Sequence, residues 1–502
     1  MTRNAREILL LGALCALASP AFAAGWQDQV SLSGAASADV RFNVEDYRGA
    51  APGDGYNFAM NRNDLDLRLE VTPSEKAIAV LDARLRYFGF NEATRLSETT
   101  SRDRLDPFSV QVDEAFVAVR GVPHPAIDLK IGRMVQTWGS ADMFNPTDNL
   151  SSRDFSDPVD YSRKVPNQML QVDVYPSDWL TLTAVWVPVF KPSQLPDSAP
   201  LGFGVERDAA GCLIAAPAPP LRDRADAQAL ADLFGAVNPC ALNFGDPEVR
   251  TFGVGRGIAE SQAALRAKLQ LGNLDLTLSY YYGRFGFPVA YTAAAFVESS
   301  QEPGKMDVRY VAEVTYPRMQ VAGLDFSYNA DWLFGLGIVG EFALIFPEEI
   351  VFGLRAYQGG NRLLEMASVN VPSEPFIKAT LGFDYTFTSW LYLNAMWVHG
   401  FFDEFNDVFG LHDYAVVAPE LKFLKDELRL RLSSVYDLTD GSSALNPTLT
   451  WVAVPAVEVT LGAFVFGGST RPEDPLDYAS RSKFGQKAAG RSVAFFKTRV
   501  NW

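Results

Sequence analysis

Segment after segment of this chain alternates apolar and polar residues for about ten positions and then turns. Leu65, Leu67, Leu69 and Val71 interleave with Asp64, Asp66, Arg68 and Glu70; after the turn Thr72–Lys76, Ala79, Leu81, Ala83, Leu85 and Tyr87 interleave with Asp82, Arg84 and Arg86. The same pattern fills Ala263–Leu271, crosses Gly272-Asn273, and returns through Leu274, Leu276, Leu278, Tyr280 and Tyr282. It recurs in Ala379–Phe387, Leu428–Leu432 and Val457–Val465. A period of two gives each strand one apolar face. Here the other face carries dense charge that needs water. A closed barrel in lipid satisfies both faces and leaves no open edge. A membrane helix is excluded as the alternative. No stretch after residue 24 approaches the roughly 18 uncharged apolar residues such a helix needs, and the most apolar one, Trp332–Phe346, is broken by Glu341.

The expected fold is therefore all-β, a transmembrane antiparallel β-barrel of roughly 16–20 strands, best parsed as about 20, with long extracellular loops. Short turns are read at Thr72–Lys76, Gly121–Pro125, Pro176–Asp178, Gly272–Asn273, Pro317–Gln320, Thr388–Ser389, Leu424–Asp426 and Pro455–Ala456. Long loops fall near 41–61, 89–109, 138–165, 188–260, 286–305, 400–412 and 467–491. Through 320–375 the parse is a strand to Asn329, an outer turn at Asn329–Asp331, a return to Phe346, a turn at Pro347–Glu349, and a barrel strand at 350–357.

The two ends agree with that compartment. Arg3 and Arg6, the apolar run Ile8–Ala18 and the small-residue site Ala21-Phe22-Ala23 read as an export signal over 1–23 that is cleaved, leaving 24–502 as the barrel in a bacterial outer membrane. The last residues, SVAFFKTRVNW, place Phe496, Val500 and Trp502 on the lipid phase, with an aromatic at the rim, as a signal for the barrel-assembly machinery. Lys497 and Arg499 face the lumen, and this strand closes against a first strand near 29–40. Within the insertion 188–260, Leu221, Ala225, Ala229, Leu233 and Val237 recur at four-residue spacing, which predicts one short amphipathic helix. Cys212 and Cys240 flank it in a chain bound for an oxidising compartment, and a disulfide between them is expected. The insertion reads as a plug, a lid or a surface cap.

Two stretches resemble a family of uncharacterised outer-membrane barrels of Gram-negative bacteria. Gly132–Phe155, GRMVQTWGSADMFNPTDNLSSRDF, is similar to that family's Gly-Arg-x-Val-x-x-Trp-Gly element with its following Asn-Pro-x-Asp. Glu313–Tyr328, with Gly340-Glu341 shortly after, is similar to its Tyr-Pro turn, paired strand and Gly-Glu strand. Ser140 stands where the family carries an acidic residue after Trp-Gly. The resemblance covers a small part of the chain. It implies a large porin-like barrel without catalysis that moves lipid-like or other hydrophobic molecules with transport partners.

Three sets of residues are candidate sites. Arg133, Trp138, Asn145 and Asp148 begin the 138–165 loop, which either folds inward as a constriction or is structural, with Trp138 in a rim girdle. Arg133 falls on the lipid phase, so either a bulge turns it inward or it snorkels. The lumen cations Arg84, Arg86, Arg266, Lys268, Arg429, Arg431, Lys497 and Arg499 form either a basic ladder for anionic solutes or a salt-bridge network with Asp64, Asp66 and Asp82. His399 and His412 bracket an acidic loop holding Asp403, Glu404 and Asp407, but a solvated loop accounts for them, so neither a metal nor a cofactor is expected. No nucleophile and base share a strand face, which argues against an enzyme. The net charge of −16 argues against nucleic acid.

The expected function is passive, gated passage of hydrophobic or amphipathic organic solutes. The alternatives are a non-conducting platform for assembly or adhesion and, behind it, an outer-membrane enzyme. Expected partners are outer-membrane lipid and lipopolysaccharide, the barrel-assembly machinery, and a periplasmic or inner-membrane transport partner.

Overall fold

The computed structural model describes residues 29–44, 57–157, 159–160, 162–195, 206–207, 213–215, 228, 239–245, 248–252, 254–407, 410–468 and 492–502. The alternating segments form one closed 18-stranded sheet. Its strands are β1 (Val30–Asn43), β2 (Phe58–Ser74), β3 (Ala77–Phe88), β4 (Phe108–Arg120), β5 (Ile127–Met134), β6 (Asn167–Ser177), β7 (Leu180–Val187), β8 (Gln262–Leu271) and β9 (Leu274–Arg284). The second half continues with β10 (Arg318–Ala330), β11 (Leu336–Pro347), β12 (Phe376–Thr388), β13 (Leu391–His399), β14 (Asp413–Phe423), β15 (Leu428–Asp437), β16 (Ser443–Val454), β17 (Val457–Gly467) and β18 (Val493–Asn501). Neighbours in chain order pair antiparallel throughout.

Closure is made by β18 on β1, from Ala35↔Asn501 to Asn43↔Val493, so the barrel has no open edge. The Trp502 backbone exchanges two further bonds with Gly34. Phe496, Val500 and Trp502 are exposed on the outer face. The pleat sorts the alternation as read. On β8 and β9, Leu265 pairs with Tyr280 and Leu278 with Ala267 on the outside, while Arg266 pairs with Ser279 and Lys268 with Thr277 on the inside. The outer face is a belt of exposed Leu, Val, Phe, Tyr and Trp, a surface suited to lipid.

The strand count corrects the expected twenty to 18, within the expected range. The miscount lies in 286–375. Residues Val289–Ser299 and Met306–Thr315 form a hairpin between β9 and β10, and Ile350–Gln358 with Asn361–Val371 form another between β11 and β12. Neither joins the barrel. The two hairpins pair in parallel through Thr292–Val297 and Gly353–Gln358, and Leu242–Phe244 and Glu248–Thr251 add to Met306–Thr315. This second sheet has its own core of Ala293, Tyr310, Ala312, Val314, Phe352 and Leu354. A strand packed on one side by protein alternates like one packed on one side by lipid, so period two cannot tell them apart.

Pro317 is accordingly not a short-side turn. It is fully buried where the first hairpin passes into β10, and its carbonyl accepts the Phe285 amide at 2.9 Å. The short-side turn is at 331–335, between β10 and β11, which reverses the expected outer turn at Asn329–Asp331. The remaining seven expected short turns join consecutive barrel strands. The export signal 1–23 and Cys212 lie outside the described residues. So does the predicted helix apart from Gln228. The Cys212–Cys240 pairing therefore stays an expectation.

Candidate functional site: a loop folded into the barrel

Residues 135–166, between β5 and β6, turn into the barrel. The entry is apolar: Met134, Trp138 and Leu150 bury against inward-facing Met169, Val185, Val187, Ala264, Tyr281, Met319, Val321, Ala343 and Ile345. These wall residues belong to β6 to β11 near the long-loop end, where both faces of the strands are apolar because lipid covers one and the loop covers the other. The sequence carried that signal in Phe342–Phe346, where the alternation gives way to an unbroken apolar run.

Beyond the entry the loop is held by acids on the wall. Glu341 on β11 is 0% exposed, and its carboxylate accepts from Ala141 N at 2.6 Å, Asn145 Nδ2 at 2.9 Å and Thr147 Oγ1 at 2.9 Å. The adjacent Asp325 on β10 accepts Ser140 Oγ at 2.5 Å. A serine at 140 therefore supplies the donor that a second acid there would not. Gly139 has φ +99°, and a Cβ there would sit 2.4 Å from Glu341 Oε1, so this approach requires glycine. Thr380 Oγ1 on β12 donates to Phe144 O at 2.7 Å. The Gly132–Phe155 and Gly340-Glu341 elements, far apart in sequence, thus meet at one contact.

Inside the loop, Asp148 accepts the Trp138 amide at 3.2 Å and binds Lys164, with Arg153 Nη2 at 3.9 Å. Arg153 also donates to Met143 O at 3.0 Å. The far end of the loop crosses to the opposite seam. Arg41 on β1 grips Asp157 with two bonds, 2.6 and 2.7 Å, and Arg62 on β2 adds one at 3.0 Å. Burial works to raise the Asp157 pKa, but the Arg41 hydrogen bonds and the two arginine charges hold it well below the usual carboxylate range. Phe144 packs with Met396, Val398, Phe401, Tyr414 and Val416, and Val159 lies against Ala444, Phe464 and Val493. The loop is thereby fixed to β10–β14 on one side and to β16–β18, β1 and β2 on the other.

Trp138, Asn145 and Asp148 are brought together by this arrangement. Trp138 is 3% exposed inside the barrel, with the Arg266 guanidinium 4.9 Å from its ring centroid, and is not part of an outer girdle. Arg133 is not with them. It stays on the outer phase of β5, and its Nε donates to Val112 O at 2.6 Å, so no bulge turns it inward. Sequence reading missed Glu341 and Asp325 as anchors, along with Arg41, Arg62 and Asp157.

The cations divide into two groups. Arg84 binds Asp66 at 2.5 Å and Asp113 at 3.3 Å, Arg86 binds Asp64 at 2.9 Å, and Lys268 binds Asp275 at 3.0 Å. Arg431 reaches Glu420 only at 3.8 Å. Arg266, Arg429, Lys497 and Arg499 have no ion pair among the described residues, although Arg499 donates to Asn501 at 2.8 Å. Across β14 to β18 one inward row reads Lys422, Arg429, Thr450, Thr460 and Lys497, cations separated only by hydroxyls.

Each loop histidine is held by a carboxylate on a barrel strand. His399 Nδ1 pairs with Asp413 at 3.0 Å and His412 Nδ1 with Asp437 at 2.6 Å. Glu404 accepts Phe401 N, His412 N and the Tyr414 hydroxyl. A different trio, His412, Asp437 and Asp440, has ligand atoms within 4.8 Å of one another, but its imidazole is engaged by Asp437, and Asp440 accepts from Ser442.

Several solved barrels resemble this one in outline. OccAB3 of Acinetobacter baumannii is 10% identical over 94% of this chain and 98% of that one, with a TM-score of 0.47. Salmonella typhi OmpF in complex with daunomycin is 8% identical over 94% and 97%, with a TM-score of 0.36. A mutant of the Rhodopseudomonas blastica porin is 10% identical over 94% and 100%, with a TM-score of 0.35. No protein-family model and no curated protein matches the chain.

Proposed function

We propose that this protein is an outer-membrane channel through which small organic solutes pass passively, with the 135–166 loop as its constriction. The observation that carries the reading is the pair of tethers, Glu341 at one wall and Arg41–Arg62 at the other, that hold the loop across a lumen lined with charge. A lumen wall of Arg, Lys, Asp and Thr side chains keeps water inside the barrel. On the row across β14 to β18, Arg429 and Lys497 have no ion pair among the described residues and Lys422 reaches Glu420 only at 3.8 Å, so the row favours anions along the lumen wall. Export, insertion by the barrel-assembly machinery through Phe496, Val500 and Trp502, contact with lipopolysaccharide at the rim, and a transport partner in the periplasm or inner membrane belong to the same proposal.

Planar-bilayer conductance of the folded protein tests it. The expected result is stepwise ion current whose reversal potential in a KCl gradient is on the anion side. A bilayer that stays silent, both with the full chain and with the loop released by Glu341→Ala, would remove the channel reading. It would leave the non-conducting platform in its place.

A further inference from the structure

Arg133 lies on the lipid side of β5, one residue before the strand ends at the long-loop rim. A cation on the outer face of a barrel is costly at the bilayer midplane and is tolerated near the surface, where its side chain reaches the headgroups. This side chain is held in place by the neighbouring strand. Pairing of β4 with β5 ends at Ala115↔Arg133, and β4 carries one extra residue, Asp113, just beyond that point. The Val112 carbonyl on the far side of the bulge accepts Arg133 Nε at 2.6 Å. Neither Nη group has a hydrogen bond or ion pair among the described residues. A guanidinium fixed through Nε keeps its planar pair of Nη donors for an oxyanion.

A second cation stands at the same place on the rim. Lys191, which follows β7, donates from Nζ to Pro166 O at 3.0 Å, and Pro166 immediately precedes β6. Gln168, two residues on, is the β6 partner of Arg133. Lys191 lies outside the membrane strands. Burial and the Arg133 charge both lower its pKa, and no carboxylate among the described residues offsets them. The acid that acts on Arg133 is Asp113, and its carboxylate is bound on the lumen side by Arg84 at 3.3 Å. The strand residues beside Arg133 on the outer face, Ala115, Ile131 and Gln168, carry no charge. Toward the midplane the same face is apolar, with Val117, Ile131, Leu182 and Trp186 exposed. Two like charges at a rim, above an apolar wall, match an anion that carries an apolar tail.

We propose that Arg133 and Lys191 bind a phosphate of the lipid moiety of lipopolysaccharide. The phosphate accepts from the Arg133 Nη groups and from the Lys191 donors that Pro166 O leaves free, and the acyl chains run over Ile131 and Trp186. This rests on the outer-membrane placement in the channel reading, and it deepens a general contact at the rim to one site on two named side chains. A zwitterionic phospholipid offers the same phosphate but brings an ammonium against the two cations, so it binds less well. Inorganic phosphate lacks the chains that the apolar wall receives.

The test is native mass spectrometry of the full chain folded in detergent and titrated with the lipid moiety of lipopolysaccharide. Expected is a saturable one-to-one adduct, bound about tenfold more weakly once alkaline phosphatase has removed the lipid's phosphates, a difference of about 1.4 kcal/mol. Inorganic phosphate in large excess should leave the adduct in place. Replacing Arg133 and Lys191 together by Gln should weaken binding by about tenfold or more, and Arg133→Lys with Lys191→Arg should restore most of it. Equal binding of the dephosphorylated lipid would show that the charges are idle, and displacement by inorganic phosphate that the apolar wall is; either overturns the proposal. So does unchanged affinity in the double Gln variant. If that variant fails to fold, judged by its heat-modifiable electrophoretic mobility, Lys191→Gln alone decides, since it alters no strand, and unchanged affinity there is equally fatal. Phosphate-dependent lipid binding by a barrel that passes no current would keep the site and remove the channel. A conducting barrel whose lipid binding ignores Arg133 and Lys191 would do the reverse.

Discussion

Asn145 Nδ2 lies 2.9 Å from Glu341 Oε1, across 196 residues of sequence. That contact ties a loop that leaves β5 to the inner face of β11. With Ala141 N and Thr147 Oγ1 on the same carboxylate, Glu341 gathers three donors from seven consecutive residues. A carboxylate accepts several donors where an amide oxygen accepts fewer, so the role is specific to an acid.

Glu341→Ala should undock the loop. Each buried donor left unpaired costs about 1–3 kcal/mol, so three lost bonds amount to about 3 kcal/mol or more of docking energy. The expected outcome is larger and noisier single-channel conductance with an intact barrel by heat-modifiable mobility. Adding Asn145→Ala should have little further effect, because the partner is already gone.

Gly139→Ala reaches the same contact from the other side. The positive φ and the 2.4 Å approach to Glu341 Oε1 together predict a loss of about 1–3 kcal/mol, read as protease sensitivity of the 135–166 loop.

The Asp157 tether should be insensitive to mild acid. Its carboxyl is buried, but Arg41 and Arg62 depress its pKa. A depressed acid contributes stability above its unfolded pKa of about 3.9 and loses it as pH falls through the lower folded value. Channel conductance governed by this tether should therefore stay flat from about pH 8 to 4. Asp157→Asn should loosen the loop at every pH in that window, by about 1–3 kcal/mol, because the charge-assisted bonds to the loop weaken while Arg41 keeps Asp39 and Arg62 keeps Asp39 and Asp64 on the barrel wall.

The 400–412 loop should respond in the opposite direction. Burial works to lower the His412 pKa, but the Asp437 hydrogen bond and the charges of Asp437, Glu404 and Asp440 raise it above its ordinary value. A raised histidine gives its full stabilisation below the unfolded pKa of about 6.5 and loses it as pH rises through the folded value. Amide hydrogen exchange in the loop, corrected for the intrinsic rate, should accelerate at alkaline pH. His412→Gln should remove that dependence.

Arg429 and Lys497 on the lumen wall, which have no ion pair among the described residues, predict selectivity. Replacing Arg429 and Lys497 together by Gln should shift the reversal potential toward cations in a KCl gradient at about 0.1 M and do less at 1 M, where the screening length falls to about 3 Å. Replacing Arg84 and Arg86 should change selectivity less, since their charges are already matched by Asp66, Asp113 and Asp64.

The period of two in Leu65–Val71 or Ala263–Leu271 was sufficient to specify strands with one lipid face and one wet face, and with them the closed barrel. That pattern is local: each side chain's direction follows from the pleat alone. The closing strand with Phe496, Val500 and Trp502 was legible for the same reason. What the alternation left undecided was the nature of the cover on the apolar face. Ile350–Val371 alternates as a barrel strand does, yet packs on its own sheet, and only the tertiary structure shows protein there in place of lipid. The anchors were hidden for a second reason. Glu341 reads as one more inward charge until the Ser140–Thr147 backbone is brought against it, and Arg41 and Asp157 are 116 residues apart. A period reports which face a residue occupies. Which of the inward residues meet across the lumen is decided by how the 135–166 loop crosses it.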